Sequence, residues 1–306
     1  MRAAARAKRG YVAPAAASTA APPPLRPPPS PLAFHPSHEL GALQWTLPSD
    51  REHAAPLYTQ LLFEQLGSLR SLDFTGLDWG EQEATALAAV LPVCGQLHSL
   101  SLASNRLGDS ALVALAAPLA ALPALSTLSF ALNRVGDAGI IALARALAAG
   151  SMPPPRRGAS VLGGSPLAQL NLSENDIGDP GLDAISTAMQ EGHLASLATL
   201  QLFKNQIGDA GAISLARVLR DDGHALPRLK TIEMAANLVG RAGAAALAAA
   251  LSLRVNVPSL QYIGLEGSVK LPPGDEAAVA LKRAVAARND RKPDQRGRRA
   301  TALALG

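Results

Sequence analysis

The feature that most constrains this chain is a frame of apolar residues and one asparagine that recurs along it. From Leu97 to Leu107 the frame has the form L-x-x-L-x-L-x-x-N-x-L. The frame recurs four more times, and the steps between successive asparagines are 28, 42, 30 and 32 residues. The five asparagines are Asn105, Asn133, Asn175, Asn205 and Asn237. Five copies at similar spacing predict a repeat architecture, in which each unit buries its apolar face against its neighbours.

Degenerate copies of the frame flank these five units. Leu77 occupies the asparagine position of the preceding copy, and Ser268 occupies that of the following copy. A further copy begins at Leu40, with Pro48 in place of the asparagine. Terminal repeats are expected to depart from the consensus because one of their faces has no neighbour. We therefore predict a single repeat domain over residues 39–288.

Each unit is predicted to run from strand to turn to helix. The leucines of L-x-x-L-x-L alternate with other residues, which places them on one side of a short strand. After the turn, Ile140, Leu143, Ala144 and Leu147 follow helical spacing. The aspartate just before each helical segment is predicted to be its N-cap. These aspartates are Asp109, Asp137, Asp179 and Asp209, and Arg241 breaks the series.

A strand layer and a helix layer with equal numbers of units cannot stack straight. Parallel strands lie about 4.8 Å apart, whereas packed helices need roughly 8 to 10 Å. Over layers about 10 Å apart, this mismatch bends the stack by roughly 25° per unit. The predicted fold class is therefore α/β, a solenoid with a parallel sheet on the concave face and helices on the convex face.

The repeats resemble a known class. The strings from Asn133 to Gly139, N-R-V-G-D-A-G, and from Asn205 to Gly211, N-Q-I-G-D-A-G, are similar to the ribonuclease-inhibitor-like leucine-rich repeats. The same class occurs in NOD-like receptors and in Ran GTPase-activating protein. The resemblance implies a horseshoe-shaped solenoid and says little about function, because one fold serves many functions. The five frame asparagines are interpreted as structural, since a side-chain amide can satisfy backbone groups where strand pairing ends.

The charges of the chain are distributed unevenly. Residues 1–38 contain five Arg or Lys and no acid, and residues 288–306 contain six bases and two acids. Because the whole chain carries +4, the part between these ends carries −5. Residues 1–38 are predicted to be a disordered Ala/Pro/Arg-rich segment, and 289–306 a basic disordered tail. Cytoplasmic localisation is expected, but the Arg-rich, acid-poor N-terminus leaves open an organelle transit peptide.

The sequence offers no set of residues for catalysis or cofactor binding. Cys94 is the one cysteine, which excludes an intramolecular disulfide and a thiolate zinc cluster. The histidines are scattered and no phosphate-binding loop occurs. We predict no enzyme activity, no cofactor, no metal, no nucleic-acid binding by the folded domain and no membrane span. Residues 150–166 lengthen one repeat and are interpreted as a surface insertion, either merely tolerated or regulatory.

The strand residues between the leucines are predicted to face the concave side. In the N-terminal units they are small and, apart from Asp73, uncharged, whereas bulk and charge collect toward the C-terminus. Aromatic residues flanked by charges are typical of binding hot spots, although a solvated strand face with incidental aromatics is the alternative. The predicted partner-binding residues are Phe203, Lys204, Glu233, Tyr262, Glu266 and Glu174.

The predicted function is that of a non-enzymatic protein-protein interaction scaffold, which binds another protein on the concave face. The resemblance leaves one alternative, a regulator of a small GTPase that resembles Ran GTPase-activating protein. That protein ends in an acidic tail, whereas this chain ends in a basic one.

Overall fold

The computed structural model describes residues 66–150, 165–220, 226–253, 259–268, 271–272 and 274–289. The predicted N-terminal segment 1–38, the copy of the frame that begins at Leu40, residues 151–164 of the insertion and the tail from residue 290 onward lie outside these ranges.

Seven strands form one parallel sheet, and a helix follows each strand in the chain. The strands are β1 Ser71–Asp73, β2 Ser99–Ser101, β3 Thr127–Ser129, β4 Gln169–Asn171, β5 Thr199–Gln201, β6 Thr231–Glu233 and β7 Tyr262–Gly264. The helices are α1 Glu81–Val90, α2 Asp109–Ala120, α3 Asp137–Gly150, α4 Asp179–Gln190, α5 Asp209–Arg220, α6 Arg241–Ser252 and α7 Glu276–Asn289. The predicted alternation of strand and helix is confirmed.

The strands lie in the sheet in chain order, β1 to β7, and each pairs in parallel with the next. The register follows the sequence frame, so that the middle residue of each strand pairs with the middle residue of the next one. This central row is Leu72, Leu100, Leu128, Leu170, Leu200, Ile232 and Ile263. The sheet is open, since β1 and β7 are its two edges. The α/β solenoid predicted from the repeats is therefore confirmed.

The core lies between the sheet and the helices. The central leucine row from β2 to β5 is buried, and Phe130 is the largest fully buried side chain. Within the first unit, Leu72 and Phe74 are only partly buried, and β1 is an edge strand among the strands that the structure describes. Each unit packs mainly on its neighbours, as expected for a solenoid.

The frame asparagines are buried and bridge adjacent units. Asn175 shows the pattern: its Oδ1 accepts the Val135 N–H at 3.0 Å, and its Nδ2 donates to the Phe130 carbonyl at 2.9 Å, both in the preceding unit. The same Nδ2 lies 3.1 Å from the Leu172 carbonyl of its own unit. At the C-terminal end, the shorter Ser268 accepts the Asn237 N–H at 3.1 Å and donates to the Met234 carbonyl.

The prediction that each aspartate caps its own helix is wrong. Asp109 is the first residue of α2, and the residue before it, Gly108, is the N-cap. The Asp109 carboxylate instead accepts the backbone N–H groups of Gly136 and Gly139, at 2.7 and 3.0 Å, at the start of α3. Each aspartate thus satisfies orphan donors of the next helix, because the stacked units bring consecutive helix N-termini side by side. The other three pairs are Asp137 with Gly178 and Gly181, Asp179 with Gly208 and Gly211, and Asp209 with Gly240 and Gly243.

This contact explains the second glycine of the G-D-x-G string. At Gly211 an added Cβ would lie 2.8 Å from Asp179 Oδ1 and 3.2 Å from the Asp179 Cα. The glycine is therefore required by the close approach of the preceding aspartate. Where that aspartate is missing, alanine takes the position: Ala111 follows a unit with Glu81, and Ala278 follows the unit with Arg241.

The last junction replaces the aspartate with an ion pair. Arg241 begins α6 and its guanidinium donates to the buried Asp275 carboxylate in the next unit. Asp275 in turn accepts the Ala277 N–H at 2.9 Å, and so caps α7 from within its own unit. The break in the aspartate series at Arg241 is thus matched by a compensating acid one unit later.

Candidate functional site on the concave face

The sheet face turned away from the helices, here called the concave face, is formed by three rows of side chains. Two rows come from the first and the last residue of each strand. The third row comes from the residue two positions after the strand ends. On β1 to β4 these residues are small or uncharged apart from Asp73: they are Ser71, Asp73, Thr75, Ser99, Ser101, Ala103, Thr127, Ser129, Ala131, Gln169, Asn171 and Ser173.

The predicted residues Phe203, Glu233 and Tyr262 lie in different rows on three neighbouring strands. Tyr262 begins β7 opposite Thr231, and Glu233 ends β6 opposite Gln201. Phe203 lies two residues beyond the end of β5, and 37% of its surface is exposed. The three residues therefore lie along a diagonal across adjacent strands. Phe203 is flanked in its row by the small residues Ser173 and Ala235, which leaves its ring standing above them.

Glu233 and Tyr262 are connected within the molecule. The Glu233 carboxylate accepts the Ala235 N–H at 3.0 Å and a hydrogen bond from the Tyr262 side chain. Burial, assisted by the charge of Glu266, raises the pKa of Glu233. Burial and then the charges of Glu233 and Glu266 raise the pKa of Tyr262 to about 12. Glu233 is thus half-buried and orients Tyr262 rather than standing free on the surface.

Gly264 makes room for this carboxylate. It pairs with Glu233 in the sheet, and a Cβ at Gly264 would overlap the Glu233 carboxylate oxygens. The absent side chain lets Glu233 lie across β7 toward Tyr262. Sequence reasoning missed this role, although a glycine inside a strand often marks a close approach by another group.

Lys204 and Glu174 lie at the edge of the concave face, where the chain leaves the strand. Both residues have left-handed backbone conformations, with φ of 52° and 54°, and each immediately precedes a frame asparagine. Lys204 Nζ lies 2.7 Å from Glu174 Oε2. The two predicted contact residues therefore form an ion pair between neighbouring units, on the side of the patch that Phe203 occupies.

The N-terminal end of the concave face carries a polar network that the sequence did not indicate. Thr75 Oγ1 lies 2.5 Å from Asp73 Oδ1 and 2.7 Å from Ser101 Oγ. The Thr75 hydroxyl and backbone N–H donate to Asp73 and lower the pKa of that carboxyl. These groups satisfy one another on an exposed surface, whereas Phe203 offers apolar area that is free for contact.

The described residues contain no group of three or more His, Cys, Asp and Glu side chains that could hold a metal ion. Cys94 is buried, and that burial raises the pKa of its thiol, so the nucleophilic thiolate is disfavoured. No helix in the described part of the chain is long and apolar enough to cross a membrane.

Comparison with known proteins agrees with the repeats seen in sequence and structure. Four segments, residues 96–116, 122–144, 165–186 and 193–216, match the leucine-rich-repeat family. They coincide with the units from β2 to α5. The units from β2 to α5 are accordingly leucine-rich repeats, and such repeats generally mediate protein-protein interactions.

The crystal structure of an internalin from Listeria monocytogenes is similar over 72% of this chain, with 16% sequence identity and a TM-score of 0.38. This chain spans 61% of the length of that protein. No curated protein matches the sequence.

Proposed function

We propose that this chain is a non-enzymatic scaffold that binds another protein on the concave face, at β5 to β7. The observation that carries the proposal is the change of character along that face. Four strands present small uncharged residues and Asp73, and the next three present Phe203, Tyr262 and Glu266. Aromatic anchors surrounded by charges are the usual composition of protein-binding hot spots.

We propose different roles for these residues, and their contacts support the division. Phe203 supplies exposed apolar area, and Tyr262 supplies a ring whose hydroxyl is held by Glu233. The Lys204–Glu174 pair borders Phe203 and is open to a charged group of the partner. Holding Tyr262 in place before binding reduces the entropy that the interface loses on association. Glu233 is thus proposed as a positioning residue, with Glu266 as the half-buried acid beside it.

Site-specific photo-crosslinking tests the location of the surface. A photoreactive phenylalanine analogue is placed at position 203 or 262, and at position 101 or 129 as the matched control on β2 and β3. We expect crosslinks to one protein from positions 203 and 262 only. Equal crosslinking from both ends of the face, or crosslinking only from the helices, would contradict the proposal.

Alanine variants of the same positions then measure the energetics against the crosslinked partner. Phe203→Ala or Tyr262→Ala should weaken binding by about 2 kcal/mol, roughly thirtyfold, whereas Ser101→Ala and Ser129→Ala should change it little. Each variant is checked for an unchanged unfolding midpoint, so that lost binding is not lost folding.

The ribonuclease-inhibitor-like subclass is part of this proposal. It is supported by the spacing of 28 to 32 residues outside the insertion and by the full helix in each of the units from α2 to α6. The alternative within that subclass, regulation of a small GTPase, is tested by measuring GTP hydrolysis by purified small GTPases with and without the chain. Acceleration would favour the alternative over a passive scaffold.

A further inference from the structure

A groove of about 500 Å³ lies along the edge where the strands turn into the helices, across the units of β3, β4 and β5. The frame asparagines form its buried floor, and the residues just before and just after each asparagine form its walls. The wall residues are Leu132, Arg134, Glu174, Asp176, Lys204 and Gln206. We call this surface the corner groove. It is separate from the rows of side chains that cover the sheet.

The charged groups of the corner groove are largely paired across units, with one exception. Lys204 Nζ lies 2.7 Å from Glu174, and Gln206 Nε2 donates to Asp176 at 3.0 Å. Arg134 is exposed, and its guanidinium forms no hydrogen bond or ion pair with any residue that the structure describes. Its equivalent one unit earlier, Arg106, pairs with Asp78. The groove therefore contains one guanidinium available to an external carboxylate.

Leu132 stands next to Arg134 and is not explained by the packing of the solenoid. Its side chain is 48% exposed, and its backbone has a left-handed φ of 56°. A branched apolar residue is disfavoured in that backbone region and gains little from burial here. The equivalent position holds Ser104 in the previous unit and Ala236 in the unit of β6. An exposed leucine beside a free guanidinium is a combination that contributes more to binding than to folding.

We propose that the corner groove binds an acidic peptide segment of a protein partner, with a carboxylate on Arg134 and an adjacent apolar side chain on Leu132. A guanidinium and a carboxylate form two parallel charge-assisted hydrogen bonds, which fix orientation as well as adding energy. The equivalent position in the following unit, on the other side of Arg134, is occupied by the carboxyl side chain of Asp176. The carboxylate therefore approaches Arg134 from the side of Ser104 and Leu132. This site does not depend on the proposed contacts at Phe203 and Tyr262.

The test is a random-peptide display selection run in parallel on the full chain, on Arg134→Gln and on Arg106→Gln. Arg106→Gln is the matched control, because it removes the same group from the equivalent position one unit away. We expect the wild-type chain and Arg106→Gln to enrich peptides with an Asp or Glu next to an apolar residue. Arg134→Gln should not enrich them. Failure to enrich acidic peptides, or equal enrichment on all three proteins, would overturn the proposal.

One selected peptide is then synthesised with its acid intact and with that acid changed to the amide, and binding is measured by fluorescence anisotropy. Arg134→Gln should weaken binding of the acidic peptide by about tenfold and leave binding of the amide peptide unchanged. Leu132→Ser, which installs the residue of the previous unit, should weaken both peptides. Phe203→Ala should weaken neither, which separates this site from the concave patch. Equal affinity of both peptides for the wild-type chain would also overturn the proposal.

Discussion

Interior and terminal junctions of this solenoid differ in the residues that stand at the start of the following helix. At the four interior junctions, an aspartate of one unit accepts two N–H groups of the next helix, and a glycine stands where its carboxylate approaches. At the first and last junctions no such aspartate is present, and Ala111 or Ala278 replaces the glycine. The aspartate and the glycine 30 to 44 residues later therefore act as one pair.

The asparagine column differs between interior and end in the same way. Asn175, in the interior, accepts one backbone N–H from the preceding unit and donates to carbonyls of both units. Ser268, at the C-terminal end, reaches only the nearer groups of the preceding unit. An amide spans both units and a hydroxyl does not, because the amide carries its donor and acceptor on separate atoms.

The largest effect is expected from Asn175→Ala, which breaks the interior column. The substitution leaves the buried Val135 N–H, and the carbonyls that accept from the amide, without hydrogen-bond partners. This loss should lower the free energy of unfolding by roughly 1 to 3 kcal/mol. Asn171→Ala, on the concave face of the same unit, is the control and should cost less than about 0.5 kcal/mol, since water can replace its contact. Urea denaturation measures both. An unchanged midpoint and slope for Asn175→Ala would contradict the structural role.

Gly211→Ala tests whether aspartate and glycine form a pair. The added Cβ would meet Asp179 Oδ1 at 2.8 Å, and the crowding should cost about 1 to 3 kcal/mol. In an Asp179→Ala background the carboxylate is absent, so the same substitution should cost much less. Denaturation of the two single variants and the double variant completes the cycle. Additive costs would show that the two positions are independent and would undo the comparison.

A smaller effect is expected from removing one interior aspartate alone. Asp209→Ala leaves the N–H groups of Gly240 and Gly243 without their acceptor and should cost about 1 kcal/mol. The matched terminal variant is Glu81→Ala at the first helical residue of α1, which should be nearly neutral. Thermal unfolding distinguishes the two variants. If both lost the same stability, the interior and terminal junctions would not differ as described.

The smallest effect is a pH dependence that distinguishes the two ends of the concave face. Burial raises the pKa of Glu233, so its contribution to stability is present below its unfolded pKa and is lost as pH rises through the folded value. Glu233→Gln should therefore unfold at a higher temperature than the wild type at neutral pH, and this advantage should vanish in acid. Asp73→Asn should behave oppositely, because hydrogen bonds lower the Asp73 pKa and its stabilisation is lost as pH falls. Parallel melting curves from acid to neutral pH would show the same sign for both variants if this assignment is wrong.

The frame predicted the units, the parallel register and the buried asparagines, since each depends on residues that recur at one spacing. The aspartates were recognised and assigned to the wrong helix. Their position before each helix is what an N-cap would show in one isolated unit, and only the stacked neighbour provides the Gly136 and Gly139 donors. The concave patch was predicted as a set of residues. The internal hydrogen bonding of Glu233, and its dependence on Gly264, require knowledge of which side chains lie across the strand.

The sequence by itself determined that this chain is a solenoid of strand-turn-helix units, because periodic burial of leucines and asparagines has one geometric solution. Tertiary structure decided which polar groups form hydrogen bonds or ion pairs within the molecule and which have no such partner among the described residues. Arg106 and Arg134 are identical in type and equivalent in the frame, yet Asp78 pairs with the first and no described residue pairs with the second. The physical reason is that burial follows from the pattern within a unit, whereas pairing of exposed charges depends on distances between units that are far apart in the chain.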